Sequence, residues 1–114
     1  MTYYYVYNID IMKFIIILSP ESLDSLSKMK ANLRSLVREG IIDHLRYEPE
    51  KVSKSRIKRL RGLEKPQFRL RIGNIRVYYD VSEHSVEIPA IITKEIAKEW
   101  LERHGNQNEA NSFE

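Results

Sequence analysis

Arginine side chains alternate with apolar side chains along two neighbouring segments of the sequence, Phe68–Ile72 and Ile75–Val81. Successive side chains of a β-strand point to opposite faces of a sheet, so a period of two predicts two strands that each bury one face. The buried faces would carry the aliphatic residues together with Phe68 and Tyr79. The opposite face then carries the remaining side chains of both strands: Arg69, Arg71, Arg76, Tyr78 and Asp80.

This polar face has the composition of an anion-binding site. Guanidinium groups bind phosphate through two parallel hydrogen bonds, and a tyrosine ring can stack on a base. Neighbouring arginines repel one another, and a bound anion removes that repulsion. The alternative is an ordinary solvated face of an antiparallel sheet, on which alternating charge is common. The residue types favour an open face on which Arg69, Arg71 and Arg76 bind phosphate beside Tyr78.

Positive charge is concentrated in one part of the 114-residue chain. Ten Lys and Arg residues lie between Lys51 and Arg76, where Glu64 is the only acidic residue. This segment carries +9, and because the whole chain carries +3, the remainder carries −6. A polyanion-binding surface on an acidic body has this asymmetry, and so does a solvated basic loop. The segment adds four candidate nucleic-acid contacts: Lys54, Lys58, Arg59 and Arg61.

Other kinds of site are not indicated. The chain has no cysteine, which excludes disulfides and thiolate metal sites. His44, His84 and His104 lack the spacing of metal ligands, and the four glycines form no phosphate-binding loop. The longest purely apolar run, Phe14–Leu18, is too short for a bilayer, which takes roughly 20 apolar residues. We therefore predict no metal, no cofactor and no membrane partner.

A strand and a helical region precede the basic segment. Met12–Leu18 is almost continuously apolar, which predicts a central strand. Ser19 is a suitable N-cap for a helix that follows it. Apolar residues then recur at helical spacing as far as Leu45, which predicts a helical hairpin or one long bent helix, interrupted near residues 29–31 or at Gly40.

A hairpin, a third strand and a helix follow the basic segment. Gly73 and Asn74 predict a two-residue hairpin turn, because both residues tolerate positive φ. Apolar residues alternate again over Val86–Ile92, which predicts a third consecutive strand. Pro89 lies inside this strand and requires either an unpaired position or a bulge. A closing helix is predicted over Lys94–His104.

These elements predict an α+β fold. The N-terminal strand and a three-strand C-terminal meander form a small, antiparallel-rich sheet, with a helical hairpin and a short closing helix on one face. Residues 50–65 are predicted to be a loop, with a short helical turn over 54–60 as the alternative. The single domain spans 12–105, and 106–114 form a disordered tail. Residues 1–11 are a flexible or non-native leader, or else an extra edge strand.

Two motifs of the basic segment match a known pattern. The first is R-L-R-G-L at 59–63, and the second is F-R-L-R-I-G-N-I-R-V-Y-Y-D-V at 68–81. Together they resemble the signature K-L-x-G … Y-R-x-R-x-G-x-Y-R-v-x-Y-x-v of the RelE/ParE superfamily of bacterial toxins. S-P-E at 19–21, Pro49 and I-I-T-K at 91–94 are similar to that family's flanking features. The resemblance covers roughly Met12 to Gly105.

The resemblance implies the toxin of a type II toxin–antitoxin pair, located in the cytoplasm and held inactive in a hetero-oligomer by a tightly wrapped antitoxin. RelE-like members enter the ribosomal A site and cut mRNA by attack of a 2′-hydroxyl on the adjacent phosphate, without a metal. Their hairpin strands carry basic residues that bind the scissile phosphate, and the matching positions are Arg69, Arg71 and Arg76. ParE-like members instead inhibit DNA gyrase.

The sequence departs from the RelE-like pattern at the groups that move protons. The family's nucleases add an arginine after the last strand, which falls at Lys94 or Glu95, and a C-terminal tyrosine or histidine, which falls near Trp100. Arginine stays protonated and is a poor general base, so Lys94, Tyr78 or His104 would have to substitute. The expected function is a ribosome-dependent mRNA endonuclease. The alternatives are a non-enzymatic gyrase inhibitor and a catalytically degenerate toxin that binds RNA.

Overall fold

The computed structural model describes residues 13–107, which form three helices and seven strands. The helices are α1 (Pro20–Ser27), α2 (Ala31–Leu45) and α3 (Lys94–His104). The strands are β1 (Ile15–Leu18), β2 (Ile57–Arg59), β3 (Leu63–Lys65), β4 (Phe68–Ile72), β5 (Ile75–Val81), β6 (Ser85–Thr93) and β7 (Asn106–Gln107). Five of the strands form a mixed sheet in the order β1-β6-β5-β4-β2, and β3 pairs with β7 separately.

The predicted α+β class and the antiparallel meander β4–β5–β6 are confirmed. The prediction that the first strand is central is wrong for the described residues, because β1 pairs there only with β6, in parallel. Ile15 and Ile17 are 65% and 45% exposed. A continuous apolar run does not distinguish an outer strand from a central one, since only Ile16 and Leu18 of this strand reach the core.

Helices α1 and α2 cover the first face of the sheet. Val37, Ile41 and Leu45 of α2 are buried in one core cluster with the alternate, apolar residues of β4 and β5. The interruption predicted near residues 29–31 is confirmed, and Gly40 lies inside α2. A Cβ at Gly40 would be 2.6 Å from Cδ1 of Ile72, so this glycine allows the helix to approach the sheet closely.

Strand β6 contains a bulge at Pro89. Tyr78 of β5 is opposite Ala90, whereas Asp80 is opposite Glu87, so β6 has one more residue than β5 between these two pairs. The sequence left two possibilities open for Pro89, and the structure has the bulge. A proline is tolerated there because the bulged residue does not donate to the ladder.

The bulge reverses the parity of the rest of β6. Val86 and Ile88 belong to the first core cluster, as does Ile91, whereas Ala90 and Ile92 lie on the second face. The strict alternation predicted over Val86–Ile92 is therefore wrong beyond Ile88. As a result, β6 contributes apolar side chains to both faces of the sheet.

Helix α3 packs on this second face. Ala97 is buried against Tyr78 and Ala90, and Trp100 and Leu101 pack around them. The prediction that all helices lie on one face is therefore wrong. The physical reason is the change of parity in β6, which gives the second face an apolar surface for α3 to bury.

Two serines at the start of α1 bind the carbonyl groups at the bulge. Ser19 Oγ donates to Pro89 O (2.9 Å) and accepts from Ser22 N (3.0 Å), so the predicted N-cap is confirmed. Ser22 is fully buried, and its Oγ donates to Ile88 O (2.9 Å). Buried carbonyl groups require such partners, so the N-terminus of α1 stabilises the bulge.

The basic segment contains two strands in place of the predicted loop. Strand β2 pairs with β4 at the edge of the sheet, and β3 pairs with β7, which begins the predicted disordered tail. Strand β2 has only three residues, two of them exposed cations, so it shows no apolar period. Basic side chains are common on such edges. The predicted leader 1–11 and the remaining tail 108–114 lie outside the described residues.

The serine contact at the bulge is testable. In Ser22→Ala the buried hydrogen bond to Ile88 O is lost, which should lower the free energy of unfolding by about 1 kcal/mol in urea denaturation. Ser27→Ala removes an exposed serine of the same helix, whose Oγ bonds to Asp24 O, and should change stability by less than about 0.5 kcal/mol. Equal stabilities of the two variants would contradict the role assigned to Ser22.

Candidate phosphate-binding face

Four basic side chains lie on the second face of the sheet, along β2, β4 and β5. Lys58 is directly opposite Arg69, and Arg69 is opposite Tyr78. Two residues nearer the hairpin turn, Arg71 is opposite Arg76. Side chains directly opposite one another share a face. We refer to Lys58, Arg69, Arg71 and Arg76 as the basic face.

Arg69 lies on β4, between Lys58 of β2 and Tyr78 of β5. Its side chain is half-buried, and its Nε atom is shielded from solvent without a hydrogen-bond partner among the described residues. Burial lowers the pKa of Arg69, and the positive charges of Arg76 and Arg71 lower it further. The electrostatic potential at this guanidinium disfavours its positive charge, and an anion bound on the basic face would favour that charge.

Arg76 is held at the hairpin turn. One of its terminal nitrogens, Nη1, donates to Gly73 O (2.9 Å) and to Ile75 O (3.1 Å). Gly73 has a φ of 55°, whereas Asn74 does not have the positive φ that its type allows. Lys94 N donates to Asn74 O (2.8 Å), which brings the first residue of α3 to the same turn. The structure therefore brings Lys94 to the Arg76 end of the basic face.

Tyr78 lies under α3. It is 2% exposed, and its ring stacks on Trp100 with centroids 5.3 Å apart and an interplanar angle of 5°. Trp100 also stacks on the ring of His104, with centroids 5.0 Å apart and an interplanar angle of 21°. Burial raises the pKa of Tyr78. The interpretation of Tyr78 as a stacking surface on an open sheet face is therefore wrong, because α3 covers its ring.

The other predicted nucleic-acid contacts are divided by strand parity. Arg59 follows Lys58 and therefore points to the first face, where its guanidinium lies 4.9 Å from the centroid of the Phe68 ring. Lys54 is exposed in the segment before β2, and Arg61 is exposed in the turn after it. Of these four residues, the register brings only Lys58 next to the arginines of β4.

An acidic patch adjoins the basic face on the same side of the sheet. Asp80 is opposite Glu87, and both line a cavity of about 570 Å³ that also reaches Trp100 and His104. Burial raises the pKa of Asp80, against the effect of a hydrogen bond from Gln67 N (2.9 Å). Carboxylate and imidazole groups can accept and donate protons.

Sequence reasoning assigned Asp80 to this side of the sheet but missed the cavity. Its walls come from β1, β6, the Lys65–Pro66 segment and the end of α3, which are distant in sequence. The stack of Trp100 on Tyr78 was missed for the same reason. One feature of the sequence could have indicated part of this arrangement. Trp100 and His104 are spaced i, i+4, which puts both side chains on one side of a helix.

Within residues 13–107 no three His, Asp or Glu side chains come together in a metal-binding arrangement. None of the helices there is long and apolar enough to cross a membrane. No protein-family model matches the chain, and no curated protein matches it significantly in sequence. The function must therefore be inferred from the basic face, its surroundings and the motif resemblance.

Removal of the Arg69 charge should stabilise the fold. Arg69→Met keeps much of the apolar stem and removes a half-buried charge that burial and two neighbouring arginines disfavour. We expect a higher urea midpoint than in the wild type. Arg38→Met removes an exposed charge from α2, on the opposite side of the sheet, and should leave the midpoint unchanged. A lower midpoint for Arg69→Met would show that the guanidinium stabilises the fold.

Asp80 should make stability depend on pH. Its folded-state pKa is raised above the ordinary 3.8, so its ionisation costs stability at higher pH, and this cost disappears below the unfolded-state pKa. Asp80→Asn keeps an oxygen that can accept from Gln67 N. In urea titrations the variant should be more stable than wild type at pH 7, and the difference should close towards pH 3. Glu64→Gln, which removes an exposed carboxylate from β3, is the control, and an equal effect of this substitution would contradict the role assigned to Asp80.

Proposed function

We propose that the chain is a toxin of the RelE/ParE type that cuts mRNA on the ribosome. The observation that carries this proposal is the basic face: the register brings Arg71 opposite Arg76 and Lys58 opposite Arg69, on a hairpin whose sequence resembles the toxin signature. Within residues 13–107 the shielded Nε of Arg69 has no hydrogen-bond partner. An anion such as the RNA phosphate would neutralise this concentration of charge.

The proposed reaction is attack of a ribose 2′-hydroxyl on the adjacent phosphorus. The 2′-oxygen forms a bond to phosphorus while the bond to the 5′-oxygen of the next nucleotide breaks, which leaves a 2′,3′-cyclic phosphate and a free 5′-hydroxyl. One proton leaves the 2′-hydroxyl and one joins the departing oxygen. Arg69, Arg71 and Arg76 stabilise the negative charge that develops on the phosphate oxygens.

Lys94 is our candidate for proton transfer. It is exposed, and its backbone bond to Asn74 holds it at the same turn as Arg76. His104 is exposed at the far end of the stack on Trp100. Tyr78 is less suitable, because it is buried and its pKa is raised. In this proposal Tyr78 and Trp100 act together to hold α3 beside the basic face.

An antitoxin encoded next to the toxin is the proposed partner, in a cytoplasmic hetero-oligomer. An acidic segment of such a partner would complement the charge of the basic face, and its apolar side chains would contact the adjoining surfaces. The ribosome with its mRNA is the proposed target. These partners follow from the proposed activity and from the motif resemblance.

A non-enzymatic inhibitor of DNA gyrase is the second candidate. One observation favours it: Trp100, near the position at which RelE-like nucleases carry a tyrosine or histidine, is packed between Tyr78 and His104. A chain without a proton-transfer group could still bind nucleic acid or a protein target. A degenerate toxin that binds RNA without cutting it would also lack a proton-transfer group at this position.

A translating cell-free extract distinguishes these functions. Purified protein should produce cuts at defined codon positions when the mRNA ends are mapped, and Arg76→Ala should slow cutting by about 100-fold or more, the effect of removing one charge-stabilising contact. Arg38→Ala, an exposed charge on the opposite side of the sheet, should cut like the wild type. A gyrase supercoiling assay is run beside it.

Intact mRNA together with loss of supercoiling would overturn the nuclease proposal in favour of gyrase inhibition. Intact mRNA and normal supercoiling, with wild-type RNA binding, would identify the degenerate binder. Harmless expression of the wild-type chain at high level, without any partner, would contradict the toxin proposal as a whole.

A further inference from the structure

The cavity that contains Asp80 and Glu87 has mainly apolar walls. Its volume of about 570 Å³ is within the range of ligand pockets. Four parts of the chain meet there: β1, the start of α1, the bulge of β6 and the end of α3. A ligand with an apolar part could bury that part against the walls. The apolar wall residues are Ile17, Pro20, Pro66, Ile88, Pro89 and Trp100.

Carboxylates give this cavity a negative charge. Glu21, Asp80 and Glu87 line it, and Lys65 is the one lysine on its walls, so two negative charges remain in excess when His104 is neutral. No ion pair within residues 13–107 involves any of the three carboxylates. Repulsion from Glu87 contributes to the raised pKa of Asp80. A cation in the cavity would relieve this repulsion, whereas a phosphate would increase it.

The positions of two of the carboxylates suit a guanidinium group. Asp80 and Glu87 are directly opposite one another on β5 and β6, so their Cβ atoms are about 5 Å apart. Gln67 N donates to Oδ1 of Asp80 (2.9 Å), which holds this carboxylate in place, and a carboxylate can accept further hydrogen bonds. A guanidinium has five N–H donors in one plane and can bond to two carboxylates at once. It is also less strongly hydrated than an ammonium group, so it enters a cavity with apolar walls at a lower cost.

Exposed apolar side chains continue from the cavity along β1. Ile17, a wall residue, is 45% exposed, and Ile15 is 65% exposed. The two are spaced i, i+2 on one strand and therefore point to the same side. A protein segment with apolar residues beside an arginine could cover both of them, whereas a small diamine could not. The surface therefore favours a protein segment as the occupant.

We propose that the cavity binds an arginine side chain of a partner protein. The guanidinium lies between Asp80 and Glu87, and the alkyl stem lies against the apolar walls. Apolar neighbours of this arginine contact Ile15 and Ile17. The site is separate from the basic face and does not depend on the proposed activity, because a nuclease, a gyrase inhibitor and an RNA binder could each have it.

The test compares two blocked tripeptides that differ in one charge. The first has arginine between two leucines, and the second has citrulline, which has nearly the same shape and no charge, in place of the arginine. Each is titrated into the ¹⁵N-labelled full chain, and the readout is the indole N–H of Trp100, the only tryptophan of the chain. The arginine peptide should bind about tenfold more tightly than the citrulline peptide, the effect of a charge-assisted contact.

Variants separate the contribution of charge from that of apolar contact. Glu87→Gln and Asp80→Asn should each weaken binding of the arginine peptide about tenfold and leave the citrulline peptide unchanged. Ile17→Thr should weaken both peptides by the same factor, because it removes only apolar area. Glu64→Gln, which removes a carboxylate from β3 outside the cavity walls, should change neither. The urea midpoint of each variant shows whether it remains folded.

Equal affinities for the two peptides would overturn the proposed site. An effect of Glu64→Gln as large as that of Glu87→Gln would reduce the binding to non-specific charge attraction. Tighter binding of 1,4-diaminobutane than of the arginine peptide would replace the protein segment by a small cation. Self-association of the wild type that Glu87→Gln removes, measured by analytical ultracentrifugation, would make the occupant a second copy of this chain. The mRNA cleavage assay decides the proposed function separately.

Discussion

The arrangement of the whole second face depends on the bulge at Pro89. The extra residue reverses the direction in which the side chains of β6 point, so that Ala90 and Ile92 leave the first core and meet α3. The carbonyl groups at the bulge bond to Ser19 and Ser22 at the start of α1. A helix on one side of the sheet thus stabilises the irregularity that allows another helix to pack on the other side.

Helix α3 in turn covers the part of the second face that adjoins the basic face. Its Trp100 stacks on Tyr78, which lies opposite Arg69 in the sheet, and the Nε atom of Arg69 is shielded from solvent. Like charges then lie in a partly desolvated place, which lowers the stability of the unliganded fold. Sites that bind an anion commonly have this conflict between stability and function. A purely structural face would relieve it with a carboxylate, whereas Asp80 and Glu87 lie in the adjoining cavity.

Within the candidate site, phosphate binding and proton transfer were predictable to different degrees. Strand alternation was sufficient to group Arg69, Arg71 and Arg76, because a hairpin with a two-residue turn fixes which residues are opposite. It could not reveal that Arg59 stacks on Phe68 on the other face, since the short strand β2 has no apolar period. Nor could it reveal that Tyr78 is covered, because the covering ring comes from a helix some twenty residues further on.

The sequence by itself determined the local features of this protein: the capped start of α1, the turn at Gly73, the meander, the α+β class and the shared face of the three arginines. Each depends on contacts between residues that are close along the chain or on a simple period. Only the tertiary structure decided the parity of β6 after Pro89, the face on which α3 packs, the outer position of β1 among the described strands and the desolvation of Arg69. These features depend on which distant surfaces meet, and that is set by the balance of buried apolar area over the whole fold and not by any local pattern.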